Sequence, residues 1–372
     1  MMRIFTFCLV FCSLLACQAP HLDPANNPAL ELPLLSEGPQ VGIIQGFNGD
    51  NPPAIQDSIA ARMSEAQALG IRLARIQVDW SDLEPSPNQY ALNELKDQLE
   101  ANHAAGLETM LTLSSLDSDA ITIPEDLLGQ AFNEGGLLNR FKSLMDEIVP
   151  LMSTNGGWLI SIANEPDTHF EDEPKLWKEV RDMVREIRIH THQIDPNMAV
   201  TLTLTEGGFE AGLKGIRQIV EECDVACFNY YGQTVLGQTD SPEKVRSDLT
   251  AILDAFPDKA LVIQELGCSA GYTTGSRMEG ASEEAQRFFF ETVFEFMERN
   301  QNLRAAIVFQ VVDWSPATAE IFRADLLNAG LEEDFVLMFL ESLETLGLIS
   351  FETGKSKPAW NEFLKWVEHF AD

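Results

Sequence analysis

Eight short apolar runs recur along the chain, each of strand length. They lie at Val41–Gly46, Arg72–Val78, Glu108–Leu113, Trp158–Ala163, Ala199–Leu204, Val225–Asn229, Leu261–Gln264 and Ala305–Gln310. Between them run amphipathic stretches, among them Ile55–Leu69, Leu92–Ala105, Leu137–Met152, Leu176–Ile194, Pro242–Phe256 and Glu283–Arg299. Apolar runs that alternate with helical periods mark βα units around a parallel sheet. Gly70 and Gly106 follow two of the helical stretches and predict helix C-caps. Eight strands with interposed helices predict an α/β fold, a closed (β/α)₈ barrel in a single domain over residues 41–372. The alternative is a doubly wound open sheet, but no Gly-rich phosphate loop opens the first βα turn.

Two segments break the alternation. Ser114–Glu134 follows the third strand and Ser315–Asp334 follows the eighth. Both leave strand C-termini, so both are expected to overhang one face and to shape a binding cleft there.

The first residues read as a targeting segment. Met1–Arg3 is a short basic region, and Ile4–Leu15 is apolar but too short to span a bilayer. Leu14–Cys17 resembles the lipobox of bacterial lipoproteins. That resemblance implies a signal peptide over residues 1–16, lipidation of Cys17, and a Pro- and Asn-rich tether over 17–40. The expected place is the bacterial cell envelope, with membrane contact through the lipid. Gln18 after the cysteine favours the outer membrane in a Gram-negative host. An ordinary secretory signal is the other reading.

Charge and cysteines narrow the chemistry. The chain holds 25 Lys+Arg against 58 Asp+Glu, a formal charge of −33. Nucleic acid and other polyanions are excluded as partners, because binding them needs clustered cations. Of six cysteines, Cys8 and Cys12 fall in the signal and Cys17 is the presumed anchor. Cys223, Cys227 and Cys268 remain, too few for a disulfide framework or a zinc site. One bridge to Cys268 and three buried thiols are both open. No metal site is expected.

Two strings carry the chemistry. Ala163–Pro166 and Gln264–Gly267 each close an apolar run, and each places a glutamate, Glu165 or Glu265, at a strand C-terminus. In a (β/α)₈ barrel that face holds the reacting groups. A pair of carboxyls there suits glycosidic cleavage, one protonated to serve the leaving oxygen and one ionised to attack the anomeric carbon. A retaining pair is about 5–5.5 Å apart.

The surrounding motifs sharpen this. Arg75–Pro85, Tyr90 and Gly106 resemble the second βα unit of clan A glycoside hydrolases. Asn164–Pro166 is similar to their fourth-strand acid/base motif, and Asn229–Gly232 to their sixth-strand tyrosine motif. Glu265 resembles their seventh-strand nucleophile and Trp314 their eighth-strand tryptophan, while Gly347–Trp360 resembles their closing segment. The resemblance covers nearly the whole domain, in order. It implies a retaining mechanism without cofactor, with Glu165 as acid/base and Glu265 as nucleophile. Arg75 is then placed to pair with Glu265. Asn229 and Tyr231 share one strand face, which favours Tyr231 over Tyr230 as the residue that touches Glu265. Asn164 is expected on the sugar 2-hydroxyl, and Trp314 under a pyranose ring. Asp79, Trp80 and Glu84 are candidates for the cleft border, Trp80 being equally readable as a packing residue, and His169 is either a surface residue or a substrate contact. Nothing is assigned at Ser114 and Ser115.

The expected protein is a monomeric retaining β-glycoside hydrolase acting internally on a neutral β-linked oligo- or polysaccharide. The rivals are a carbohydrate-binding lipoprotein without turnover and a transglycosylase on the same fold.

Overall fold

The computed structural model describes residues 38–44, 51–118, 120–170, 173–234, 237–328 and 330–371. Cys17, the signal segment and most of the tether lie outside the described residues, as do the last two positions of the first expected strand.

The eight strands are β1 (Gln40–Ile43), β2 (Leu73–Asp79), β3 (Glu108–Ser114), β4 (Gly157–Asn164), β5 (Ala199–Thr205), β6 (Ala226–Tyr231), β7 (Leu261–Gly267) and β8 (Leu303–Val308). Every neighbouring pair is parallel, and β1 closes on β8, so the ring is complete. Closure leaves no edge within the eight-stranded ring. Gly42 is where β1 and β2 crowd: a Cβ there would lie 2.6 Å from Leu73 Cβ.

Outside the ring lie α1 (Pro53–Ala68), α2 (Asn93–Ala104), α3 (Gly135–Thr154), α4 (Pro174–Ile194), α5 (Lys214–Glu222), α6 (Pro242–Ala255), α7 (Glu283–Arg299) and α8 (Pro358–Ala371). Side-chain caps start two of them. Ser241 accepts from the Lys244 amide at 3.3 Å and Ser282 from the Ala285 amide at 3.0 Å, each satisfying an orphan donor of the first turn. Gly70 and Gly106 adopt φ of +93° and +76° after α1 and α2, as the C-cap reading requires.

Two apolar layers result. One, with Leu111, Ile160, Leu202 and Phe228, lies between strands and helices. The other, with Leu73, Met110, Trp158, Val225, Val262 and Ala305, fills the inside of the ring. The barrel is therefore a packed core whose chemistry is confined to its upper end. Cys223, Cys227 and Cys268 are buried free thiols, so the bridge to Cys268 is not formed. Burial pushes the three up to about 11, 12 and 12. Among the described residues no helix is long and apolar enough to cross a membrane.

Both insertions stand on the C-terminal face. The first makes a short antiparallel ladder, Leu116–Asp117 with Ala120–Ile121, and joins β4 through the pair Asp117 and Asn164. The second begins a helix at Pro316–Asn328, and a further helix, Glu333–Thr345, follows it. The latter is tied to the β6 and β7 loops. Gln233 Nε2 donates to Ser342 Oγ at 2.7 Å, and the buried Glu341 carboxylate accepts from the amides of Tyr272 and Arg277, each at 2.9 Å.

Candidate active site

Local irregularities aim the two glutamates. Along β4 and β5 the pairing runs from Ser161 with Thr201 to Asn164 with Thr203, so β4 carries an extra residue before its motif. Along β6 and β7 it runs from Phe228 with Ile263 to Asn229 with Glu265, which skips Gln264. A bulge of this kind re-aims side chains next to functional sites. It lets the consecutive Gln264 and Glu265 both turn inward, where strict alternation would send them to opposite faces. Glu165 itself has φ +49°, a left-handed backbone that a non-glycine residue keeps only where its surroundings hold it.

Glu265 is 6% exposed and meets a cation. Arg75 Nη1 lies 2.9 Å from its Oε1, and Tyr231 Oη donates to its Oε2 at 2.6 Å. Arg75 is held from two further sides, donating through Nε to Thr112 Oγ1 at 2.8 Å and through Nη2 to Gln77 Oε1 at 2.5 Å. A buried cation beside a buried anion, each with further hydrogen bonds, is the arrangement that offsets desolvation. Burial and the charges of Glu265 and Glu165 raise the Tyr231 phenol well above its ordinary value, so it stays a donor.

Glu165 has neutral partners. Asn229 Nδ2 donates to its Oε1 at 2.8 Å and Ser118 Oγ to its Oε2 at 3.0 Å. Burial, then the charge of Glu265, push its carboxyl up to about 7, with Asp167 adding to the rise, while the two donors act the other way. Loss of solvation and a like charge both disfavour the ionised form.

Asn164 links the two halves. Its Oδ1 accepts from Gln264 Nε2 at 2.9 Å and from Asn229 Nδ2 at 3.1 Å, and its Nδ2 donates to Asp117 Oδ1 at 2.9 Å. Gln264 Oε1 in turn accepts from Thr112 and Thr203 at 2.8 and 2.7 Å. Arg75, Asn164, Glu165, Asn229, Tyr231 and Glu265 thus share one network. Tyr230 does not; it stacks on Phe289 and donates to Asp248 on the outer side.

Trp314 stands apart from that network. It is 7% exposed and packs on Phe322 with ring centroids 4.7 Å apart, and its indole N–H has no partner within the described residues. The second insertion therefore covers much of the face expected under a sugar. Trp80 and Glu84 are core residues, not cleft border. Both are fully buried; Trp80 stacks on Phe141 at 4.5 Å and donates to Glu84, which pairs with Arg140 at 2.7 Å. Asp79 is half-buried at the end of β2, and burial with the charges of Asp117 and Asp82 pushes it up to about 6. His169 is partly exposed and sets its ring edge-on to Phe170.

The residues that sequence reasoning missed are Gln77, Thr112, Asp117, Ser118 and Gln264. Gln264 adjoins Glu265, so the motif contained it, but only the bulge brings it inside. Asp117 and Ser118 lie in a segment without period and meet partners 47 residues away.

No protein-family model matches the sequence, and no curated protein matches it. Solved structures do match in fold. A GH5_18 protein from Bifidobacterium longum subsp. longum in complex with Manβ1-4GlcNAc aligns with TM-score 0.64 at 14% identity, over 89% of this chain and 78% of its own. A GH5_18 protein from Streptomyces cattleya, also in complex with Manβ1-4GlcNAc, aligns with TM-score 0.62 at 13% identity, over 89% and 80%. An exo-β-1,4-mannosidase from Opitutaceae bacterium strain TAV5 aligns with TM-score 0.64 at 16% identity, over 89% of this chain and 59% of its own. These neighbours are glycosidases built on a (β/α)₈ barrel, and the chain has that barrel over nearly all of its described length.

Proposed function

We propose that the chain is a retaining β-glycoside hydrolase in which Glu265 is the nucleophile and Glu165 the acid/base. One observation carries the reading: the two carboxyls of one network have opposite surroundings. Glu265 faces a guanidinium and a phenol, which suits an anion. Glu165, at about 7, holds its proton near neutrality. A carboxyl that holds its proton beside one that faces a cation gives an acid and a nucleophile.

In the first step a Glu265 oxygen bonds to the anomeric carbon as the glycosidic C–O bond breaks. Glu165 gives its proton to the departing oxygen. Glu265 is then an ester, its charge is gone, and Glu165 is left ionised. In the second step water attacks the same carbon, Glu165 takes the water's proton, and the ester C–O bond breaks. Both carboxyls return to their starting states.

For the substrate we propose a neutral β-linked glycan. The acidic chain speaks against a polyanion, and a disaccharide of mannose β-linked to N-acetylglucosamine is what two of the structural neighbours hold. Mannosides are therefore the first compounds to assay. Internal cleavage is the proposal for chain length, and the product lengths released from a polysaccharide test it. Anchorage through a lipidated Cys17 completes the proposal; detergent-phase partition of wild type and its loss in Cys17→Ser test it.

The deciding experiment is a panel of aryl β-glycosides, disaccharides and polysaccharides, with wild type, Glu165→Gln and Glu265→Ala. Turnover in wild type alone supports the reading. Saccharide binding without turnover supports the carbohydrate-binding rival, and products longer than the donor reveal a transglycosylase.

A further inference from the structure

We infer, on the glycosidase reading above, that Asp117 and Ser118 of the β3 insertion are positioning residues, a brace that sets the Asn164 amide and the protonation of Glu165. The match is residue by residue. Asp117 pairs with Asn164 along the β4 edge, and the Ser118 amide donates to the Asn164 carbonyl at 2.9 Å. On top of that backbone pairing, each side chain of the pair reaches one motif residue. Asp117 Oδ1 takes the Asn164 amide hydrogen at 2.9 Å, and Ser118 Oγ donates to Glu165 Oε2 at 3.0 Å.

Asp117 fixes which way the Asn164 amide points. Its second oxygen is occupied by Gln77 Nε2 at 2.7 Å, so the carboxylate cannot swing away without losing that bond. Gln264 and Asn229 both donate to Asn164 Oδ1. An amide with acceptors on one side and donors on the other has one stable flip. That flip leaves the second Nδ2 hydrogen for the sugar 2-hydroxyl, a contact that strengthens in the transition state.

Ser118 acts on the proton. A hydroxyl that donates to a carboxylate favours its charged form, the form Glu165 must adopt as base in the second step. The groups around Glu165 are Glu265 on β7 with its partners Arg75 and Tyr231, Asp167 just after β4, Asp117 on the insertion, and Asn229 on β6. Of the carboxylates, Glu265 and Asp167 oppose ionisation. Ser118 and Asn229 supply the counterweight. Geometry marks the contact as held in place, because Ser118 and Glu165 have φ of +50° and +49°, and two left-handed non-glycine residues in contact need a surrounding structure that fixes them.

The test uses the full chain and three variants. Ser118→Ala and Ser118→Gly both remove the hydroxyl, but glycine relieves the backbone while alanine does not. In both, the Glu165 titration followed by carboxyl-carbon NMR should move upward by about one pH unit, the worth of one hydrogen bond to a charged group. The basic limb of kcat/KM on a β-glycoside with a poor leaving group should follow it. A titration unmoved in both variants overturns the brace at Ser118, as does a shift in glycine alone, which would trace to backbone strain. For Asp117→Ala, which removes both acceptor oxygens, kcat/KM should fall about tenfold further on a 2-hydroxy substrate than on its 2-deoxy analogue, since the part of the effect that runs through Asn164 is the part that needs the 2-hydroxyl. An equal fall on both overturns the brace at Asp117. Failure of the glycosidase reading looks different: wild type then turns over nothing, while the NMR shift in the Ser118 variants persists.

Discussion

The end of β7 and the end of β4 present the same functional group to the same space, yet they are built by different means. At β7, Glu265 sits against a fully buried guanidinium whose own donors are taken up by Thr112 and Gln77. At β4, Glu165 meets an amide and a hydroxyl, and among the described residues no cation pairs with it. The first environment supplies a cation; the second supplies neutral donors, one of them from an insertion, beside the negative charges of Glu265 and Asp167. The lesson is that acid and nucleophile are distinguished by what the neighbouring strands and loops bring, since the two side chains are chemically identical.

The largest effect should come from the charged side. Glu265→Ala should lower turnover on the order of 10⁴-fold or more, the scale at which loss of a nucleophile leaves only binding and polar stabilisation. Azide should restore turnover and give a product of inverted anomeric configuration. Glu165→Ala should cost about 10²–10⁴-fold on substrates with poor leaving groups and much less on activated aryl glycosides, because a good leaving group needs little protonation. Equal losses on both substrate types in both variants would erase the distinction between the two ends.

Arg75→Ala breaks the comparison from below. It leaves a buried anion without its cation, so stability should fall by about 3–5 kcal/mol, read as a lower denaturation midpoint. A variant as stable as wild type would show that the pair contributes nothing to folding.

The smallest effect is the share that Glu165 takes in the pH dependence of stability. Burial raises Glu165 and Glu206 to about 7, and Asp79, Asp167 and Asp313 to about 6. A carboxyl raised by folding holds its proton more tightly in the folded state. Its stabilising contribution is full below the ordinary carboxylate value and is lost as pH rises through 6 to 7. Asp182, lowered to about 2, loses its contribution only as pH falls towards that value, outside this window. The melting temperature should therefore rise on acidification from pH 8 to pH 5. Glu165 alone should account for about 2–3 kcal/mol of the change, and Glu165→Gln should flatten the curve by that amount. A melting temperature that falls over the same range would contradict the assigned directions.

How far this was legible in the chain follows from what sequence encodes locally. The barrel was legible because apolar runs and helical periods differ over a few residues, as in Trp158–Ala163 against Leu176–Ile194. Glu165, Glu265, Arg75 and Tyr231 were legible because strand ends carry them to one face. Alternation alone separated Tyr231 from Tyr230, and the outward contact of Tyr230 with Asp248 agrees. The bulge that turns Gln264 inward was not legible, since register is a property of two strands. Asp117 and Ser118 were hidden because their partners are distant and their segment has no period. Trp80 stayed open between cleft and core because an aromatic after a strand serves either equally well, and here Phe141 claims it for the core.

The central claim is that Glu265 attacks the sugar while Glu165 moves the proton. It is tested most directly by trapping. A 2-deoxy-2-fluoro-β-glycosyl fluoride of the sugar that wild type turns over slows release of the glycosyl ester and lets it accumulate. Proteolysis and peptide mass mapping then locate the added sugar. The account predicts a single adduct on the peptide that contains Glu265, at Glu265 itself, and slow release with retained β configuration. A first product of α configuration with no adduct, or an adduct on Glu165, would contradict it.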